Sequence, residues 1–475
     1  MNSEPQPAAD KRWPRQIKYI VGNEACERFS YYGMRSILAG YITGTVVKGG
    51  LGQSDDKATE IIHMFVFVNY FLPLIGAWLS DKILGRYRTI LWISLFYCAG
   101  HGVLACSELA STVNGKMLML VSGLGLIALG SGGIKPCVSA FMGDQFKPEQ
   151  SHLLQKAYGA FYWSINLGSF FSFLIIPWIK DKHGYGLAFG IPGILMALAT
   201  LIFWLGTKHY VMVPPSRETK SAGFFKVFFA ALSGKRQPGE TFWDAARSRF
   251  SEAEIAAAKS VLPILMVFAL IPIFFSLFDQ TNSTWVLQGE KMLPATVFGL
   301  QIGAEQMQSM NPLIVMILVP VFTLGIYPLI GKFASPLRRI AMGMFLAALA
   351  YVAVAMLQRQ IEHGAHLCVL WQTIPYFILT AAEVLVSTTG LEFAFRESAP
   401  EMKSIIMSFW LLNIACGDLL IVVITKLGSS LTNSSAAVST ERFLLYAGLT
   451  FVVAILFSIV ARFYNYRDKA AAVGK

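Results

Sequence analysis

Apolar residues arrive in long runs separated by short polar stretches, and the run length is the first informative quantity. A helix crossing about 30 Å of hydrocarbon needs about 20 mainly apolar residues. That length predicts twelve membrane helices, at 18–46, 58–81, 89–108, 117–140, 156–179, 185–206, 258–287, 311–331, 338–357, 370–395, 404–427 and 442–464. The start, MNSEPQPAADKRWPRQIKYI, is polar and proline-rich and does not read as a secretory signal. The longest polar stretch, 207–257, separates six predicted helices from six, the layout of a duplicated bundle. The expected organisation is an N-terminal tail (1–17), a first six-helix bundle (18–206), a linker (207–257), a second bundle (258–464) and a C-terminal tail (465–475). The stretch VFGLQIGAEQMQSMNP before the eighth helix predicts a short re-entrant or surface segment.

Composition agrees. The chain is 55% hydrophobic and 14% charged, against about 25% charged in soluble domains. This argues against both a disordered chain and a water-soluble enzyme. The net charge of +11 could suggest a nucleic-acid partner, but cytoplasmic loops of a membrane protein carry the same excess. With the N-terminus inside, 26 of the 39 Lys and Arg fall on the inner side and 9 on the outer. Both termini are therefore expected in the cytoplasm, and no nucleic acid is expected as a partner. The six cysteines lie in apolar stretches without CxxC spacing, so neither a metal site nor a disulfide framework is indicated.

Ionisable residues inside the apolar runs carry the chemistry. Each costs at least about 2.5–3.5 kcal/mol at the bilayer centre, so each needs a reason. The first helix holds Glu24, Glu27, Arg28, Tyr31, Tyr32 and Arg35, spaced to share one helical face. The plain structural reading is a salt-bridge ladder locking the bundle. Buried ion pairs are a poor source of net stability, and a stripe lining a watery cavity accounts better for the pattern. Lys135 lies in GSGGIKP, where glycines permit close approach, and Glu383 lies in the opposite half, so one can neutralise the other across a cavity. His63 alone reads equally as a satisfied core histidine or as a titrating group. Asp279, in FSLFDQTNSTW, is also open to reading as a helix-end residue. No nucleophile–base pair is evident, so an enzyme is not expected.

Asp81, Gly85, Arg86 and Arg88 in SDKILGRYR resemble the loop signature of the major facilitator superfamily. Residues 24–33, EACERFSYYG, match the ExxERFxYYG motif of the proton-coupled oligopeptide transporter family within it. GAWLSDKILGRYRTILWISLFYCAG (76–100) and FYWSINLGSF (161–170) are similar to that family's two signatures, with further matches in GGIKPCVSAFMGDQF and AEVLVSTTGLEFAF. The resemblance runs from about residue 18 to 425.

The resemblance implies an all-α fold of twelve helices in two six-helix bundles, and residue roles by position. Arg35 and Lys135 would take a peptide carboxylate and Glu383 its amino terminus. Tyr31, Tyr32, Tyr70, Asn166 and Asn311 would be polar walls and Trp410 a gate or pocket aromatic. Glu24, Glu27 and Arg28 match the proton-coupling motif, with Glu383 sharing that role. His63 matches a histidine typical of animal members and becomes proton-linked, with Asp279 its counterpart near an outer gate. A tryptophan often found in the seventh helix is Phe275 here. The chain lacks both the two extra helices of many bacterial members and the large extracellular domain of animal ones. A multi-pass protein of the bacterial inner membrane with an animal-like core is the expectation.

The chemistry points the same way. A di- or tripeptide is a zwitterion, and Arg and Lys suit its carboxylate as Glu suits its ammonium. The expected function is a proton-driven importer of di- and tripeptides working by alternating access, acting as a monomer in the lipid bilayer with protons as coupling ion and no other cofactor. Alternatives are a facilitator carrying another substrate, such as nitrate or a drug, and a peptide sensor. Nitrate has no use for Glu383, and nothing resembles a signalling domain.

Overall fold

The computed structural model describes all residues except 1–12, 148–149, 216–222, 235–238, 332–334, 433–435, 465 and 467–475. The expected tails, 1–17 and 465–475, lie largely outside the described residues. The first helix, α1 (Ile17–Ser36), continues as Leu38–Thr43. It is followed by α2 (Asp55–Leu84), α3 (Arg86–Leu109), α4 (Val113–Gly143), α5 (Ser151–His183) and α6 (Tyr185–His209). A linker helix α7 (Phe224–Ser233) precedes α8 (Glu252–Phe268) and α9 (Pro272–Asn282). The remaining helices are α10 (Gln306–Leu329), α11 (Pro336–Glu362), α12 (Val369–Glu397), α13 (Lys403–Lys426) and α14 (Thr440–Phe463).

Among the described residues ten helices are long and apolar enough to cross a membrane, and α8 with α9 makes an eleventh span bent by 44°. The helix expected at 18–46 forms, but Glu24, Glu27, Arg28 and Arg35 keep α1 out of that apolar set. The span expected at 258–287 differs more. It starts earlier, because Ser251 and Glu254 cap each other's backbone at the head of α8. It then breaks before Pro272, which cannot donate the hydrogen bond that continuity requires. The segment before α10 is not re-entrant. It is a surface hairpin of β1 (Ala295–Val297) and β2 (Leu300–Ile302). Its two-residue turn puts Phe298 and Gly299 at φ 50° and 80°, with Phe298 fully exposed.

Outward faces are apolar: Ile194, Met266 and Leu324 are 66%, 66% and 81% exposed. Such surfaces would aggregate in water and meet lipid here. The contacts divide the chain into two units, 1–52 with 72–217, and 53–71 with 218–475. The seam within α2 falls at Leu72, just before Pro73 opens the next helical stretch.

In the first unit α1 packs on α5 and α6, and α3 on α4 and α6. Glycines set the approach, as is usual where lipid supplies no hydrophobic drive between helices. A Cβ on Gly33 would lie 2.8 Å from Ile176 Cγ1, and one on Gly168 2.8 Å from the Ala25 carbonyl oxygen. The glycines of GSGGIKP act likewise, since a Cβ on Gly133 would lie 2.6 Å from Ile93 Cγ2. In the second unit α11 packs on α14 and α12, and α13 packs on α9 and on residues 55–71 of α2. A Cβ on Gly417 would lie 2.7 Å from Phe275 Cβ, so glycine lets α13 close on α9.

Candidate functional site

The α1 stripe is buried: Glu24, Glu27, Tyr31 and Arg35 are each at most 3% exposed. Arg28 Nε donates to Glu24 Oε1 at 2.7 Å and lies 2.7 Å from Glu27 Oε2. Tyr97 of α3 donates to the other Glu27 oxygen at 3.1 Å. One partly exposed guanidinium thus sits between two buried carboxylates. Lys135 Nζ stands 4.3 Å from the centre of the Tyr31 ring, a cation–π contact. Tyr32 packs edge-on against Tyr31 and at a tilt against Phe173 of α5. Asn166 turns its amide onto the Tyr162 carbonyl of its own helix, at 2.9 Å.

Sequence reasoning missed the support beneath this stripe. Ser30 donates to the Pro192 carbonyl at 2.6 Å, so its hydroxyl proton is taken. His101 Nε2, 2.9 Å away, must then donate to the Ser30 oxygen. Tyr97 stacks on His101, with ring centroids 5.2 Å apart. Their spacing of four in an apolar helix was the available signal. At the α2–α3 turn Gly85 adopts φ 77°. There Arg86 Nη1 donates to both oxygens of Asp144 at 2.6 Å, while Asp81 lies 3.9 Å from Nε. The acid that pairs closely with Arg86 is Asp144, just past the end of α4.

In the second unit His63 is fully buried, and both its ring nitrogens are met. Nδ1 lies 2.7 Å from Asp418 Oδ1 on α13, and Nε2 lies 2.7 Å from Ser283 Oγ. An ionised carboxylate only accepts, so Nδ1 carries a proton. Ser283 can donate to Nε2 when the ring is neutral and accept from it when the ring is charged, so both forms fit one geometry. The sequence pointed to Asp279 as the counterpart. The carboxylate against the ring is Asp418, and Asp279 lies four residues before Ser283 and is 5% exposed. Ser283 is placed by a break in the helix, at φ −135° and ψ −89°, between Asp279–Asn282 and the short helix Thr284–Gly289.

Glu383 on α12 accepts from Asn311 Nδ2 at 2.7 Å, and the same amide reaches Thr380 Oγ1 at 3.2 Å. One wide, π-helical turn, Val384–Thr388, follows Glu383 directly. Such turns recur at functional sites. Trp410 packs edge-on against Phe268 and Phe275, with centroids 5.5 and 5.8 Å away. Phe275 is thus an aromatic wall for Trp410. Tyr70 is half-buried in the α2 segment belonging to this unit. Among the described residues no group of three or more His, Cys, Asp and Glu gathers as a metal site would need.

Residues 87–441 match the family model PTR2, described as POT family. The chain belongs to the POT family. It is 38% identical to peptide transporter family 1 of Drosophila melanogaster over 379 residues, covering 77% of this chain and 50% of that one. It is 37% identical to solute carrier family 15 member 2 of Rattus norvegicus, covering 80% and 54%. The chain thus spans about half the length of these animal relatives. The crystal structure of the POT family transporter PepTSo, 37% identical, superposes with a TM-score of 0.87 over 95% of this chain and 98% of that one. The protein has the major facilitator type of all-α, multi-pass membrane fold.

Proposed function

We propose that this POT family protein imports di- and tripeptides together with protons by alternating access. It would do so as a monomer in a bacterial inner membrane, with both termini in the cytoplasm and no cofactor beyond the proton. The observation that carries this reading is Arg28 held between Glu24 and Glu27 on one buried face. A proton on either carboxylate removes half of the guanidinium's counter-charge. Arg28 is then freer to take another partner, and the balance between two conformations changes. A cluster built only for stability would have no need of a cation shared by two acids.

In this reading Arg35 and Lys135 receive the peptide carboxylate and Glu383, oriented by Asn311, receives the ammonium. Tyr31, Tyr32, Tyr70 and Asn166 bound the polar space and Trp410 closes an apolar pocket. His63, with Asp418 and Asp279, passes a proton. Family membership and the naming of relatives as peptide transporters support the substrate class. The test is uptake of labelled dialanine by liposomes holding the purified protein. Accumulation above equilibrium with an inward proton gradient, lost when the gradient is collapsed, is the expected outcome. Uptake indifferent to the gradient would overturn the coupling, and no uptake or competition by any dipeptide would overturn the substrate class.

A further inference from the structure

A cavity of about 750 Å³ lies where α11 begins and α14 ends, outside every residue assigned above. Its mouth carries Arg338 and Arg462, both exposed. Its floor is apolar, with Met342 and Phe345 following Arg338 at helical spacing along one face of α11. At 1.5 Å per residue, Phe345 lies about 10 Å below Arg338.

The remaining wall is aromatic and fixed. Tyr464 donates to Glu397 at 3.2 Å, and Tyr466 accepts from the Leu337 backbone N–H at 3.3 Å. The two rings pack edge-on, 5.4 Å apart. Among the described lining residues none is acidic.

We infer that this cavity is a binding site for an anionic phospholipid, with the phosphodiester between Arg338 and Arg462 and an acyl chain along Met342 and Phe345. Guanidinium groups suit phosphate oxygens, which they can meet with paired N–H donors. A free inorganic anion would gain nothing from the apolar floor. A zwitterionic peptide would find no described carboxylate for its ammonium. Both helices cross the membrane, so the cavity opens to lipid at the level where headgroups lie. Basic pockets between membrane helices are a recurring place for such headgroups.

The test is native mass spectrometry of the full chain released from detergent with phosphatidylglycerol or phosphatidylcholine added. The wild type should hold phosphatidylglycerol in preference to phosphatidylcholine. Each arginine near an anionic headgroup adds about fivefold in affinity, so Arg338→Gln with Arg462→Gln should weaken that binding about thirtyfold. Phosphatidylcholine shares the phosphodiester but carries its own choline cation, so its binding should weaken much less, and an unchanged Tm in detergent should report that the variant is folded. Arg338→Lys with Arg462→Lys should restore the preference. Lys116→Gln with Lys182→Gln, which removes two charges from the first unit, should leave it intact. An unaltered preference in the glutamine pair, or an equal loss in the Lys116 and Lys182 pair, overturns the site.

Discussion

Both units bury carboxylates, and they satisfy them differently. In the first unit Glu24 and Glu27 face Arg28, which is always charged and can only donate. In the second, Glu383 faces the Asn311 amide and Asp418 faces the His63 ring, partners that are neutral or can become so. One arginine between two ionised acids leaves a net charge of −1, and a proton on either acid removes one of the guanidinium's two counter-charges. An amide, a hydroxyl or an imidazole tolerates either protonation state with small rotations. The first arrangement suits a site where protonation has to break something. The second suits a site where a proton has to be held and passed without collapse.

That contrast can be broken most forcefully at Arg28. Arg28→Leu leaves two buried carboxylates without their cation, and losing one partner of a buried pair costs about 3–5 kcal/mol. Thermal unfolding in detergent should show a large fall in Tm, together with loss of driven uptake. A small change in Tm would mean that the cluster is well hydrated and the contrast false. Glu383→Gln should behave oppositely, because the amide keeps an acceptor for Asn311. Stability should shift by less than about 1 kcal/mol, while concentrative uptake is abolished in liposomes. Normal proton-driven accumulation would remove Glu383 from the coupling.

Asp418→Asn probes the histidine site more finely. The new amide can still accept from Nδ1, but the charge that favours a protonated ring is gone. Driven uptake should fall about tenfold, within the usual range of coupling energies, while peptide counterflow survives. His63→Ala should match it, and the double variant should be little worse, as expected for residues in one step. Additive losses would separate the two residues, and loss of counterflow would make the pair structural.

The smallest effect lies in the linker. Hydrogen bonds from Thr241 to the Asp244 carboxylate hold its pKa below the ordinary value. A depressed folded pKa stabilises the turn above the unfolded pKa, about 3.9, and that contribution fades as pH falls through the folded value. Protection factors across 241–247, with the intrinsic pH dependence of amide exchange divided out, should therefore fall at acid pH in the wild type, and Asp244→Ala should flatten this dependence.

How far these features could be read from sequence follows their range along the chain. The α1 stripe was legible because its members repeat with the helical period within twelve residues. Glu383 and Lys135 were legible as charges in apolar runs. Asp418 has the same signature, in NIACGDLLIVV, yet its partner His63 is 355 positions away, and no local period joins them. The attachment of 53–71 to the second unit was hidden for the same reason. His63 with Asp418, Lys291 with Asp55 at 3.4 Å, and the Ala437 N–H with Asp56 at 2.5 Å all bridge distant stretches. The hairpin before α10 escaped because its strands have three residues each, and Phe298-Gly299 lacks the Asn-Gly signature of such turns.

That hairpin also offers a practical handle. Its tip projects an aromatic ring into open surroundings while holding a backbone angle that bulky side chains disfavour. Exposed tips of this kind are where insertions and grafted sequences are best tolerated. Phe298 is thus the position of choice for a single-cysteine fluorophore, or for an epitope recognised by an antibody fragment. Swapping the phenylalanine for asparagine there should tighten the turn, giving imaging and labelling work a firm grip.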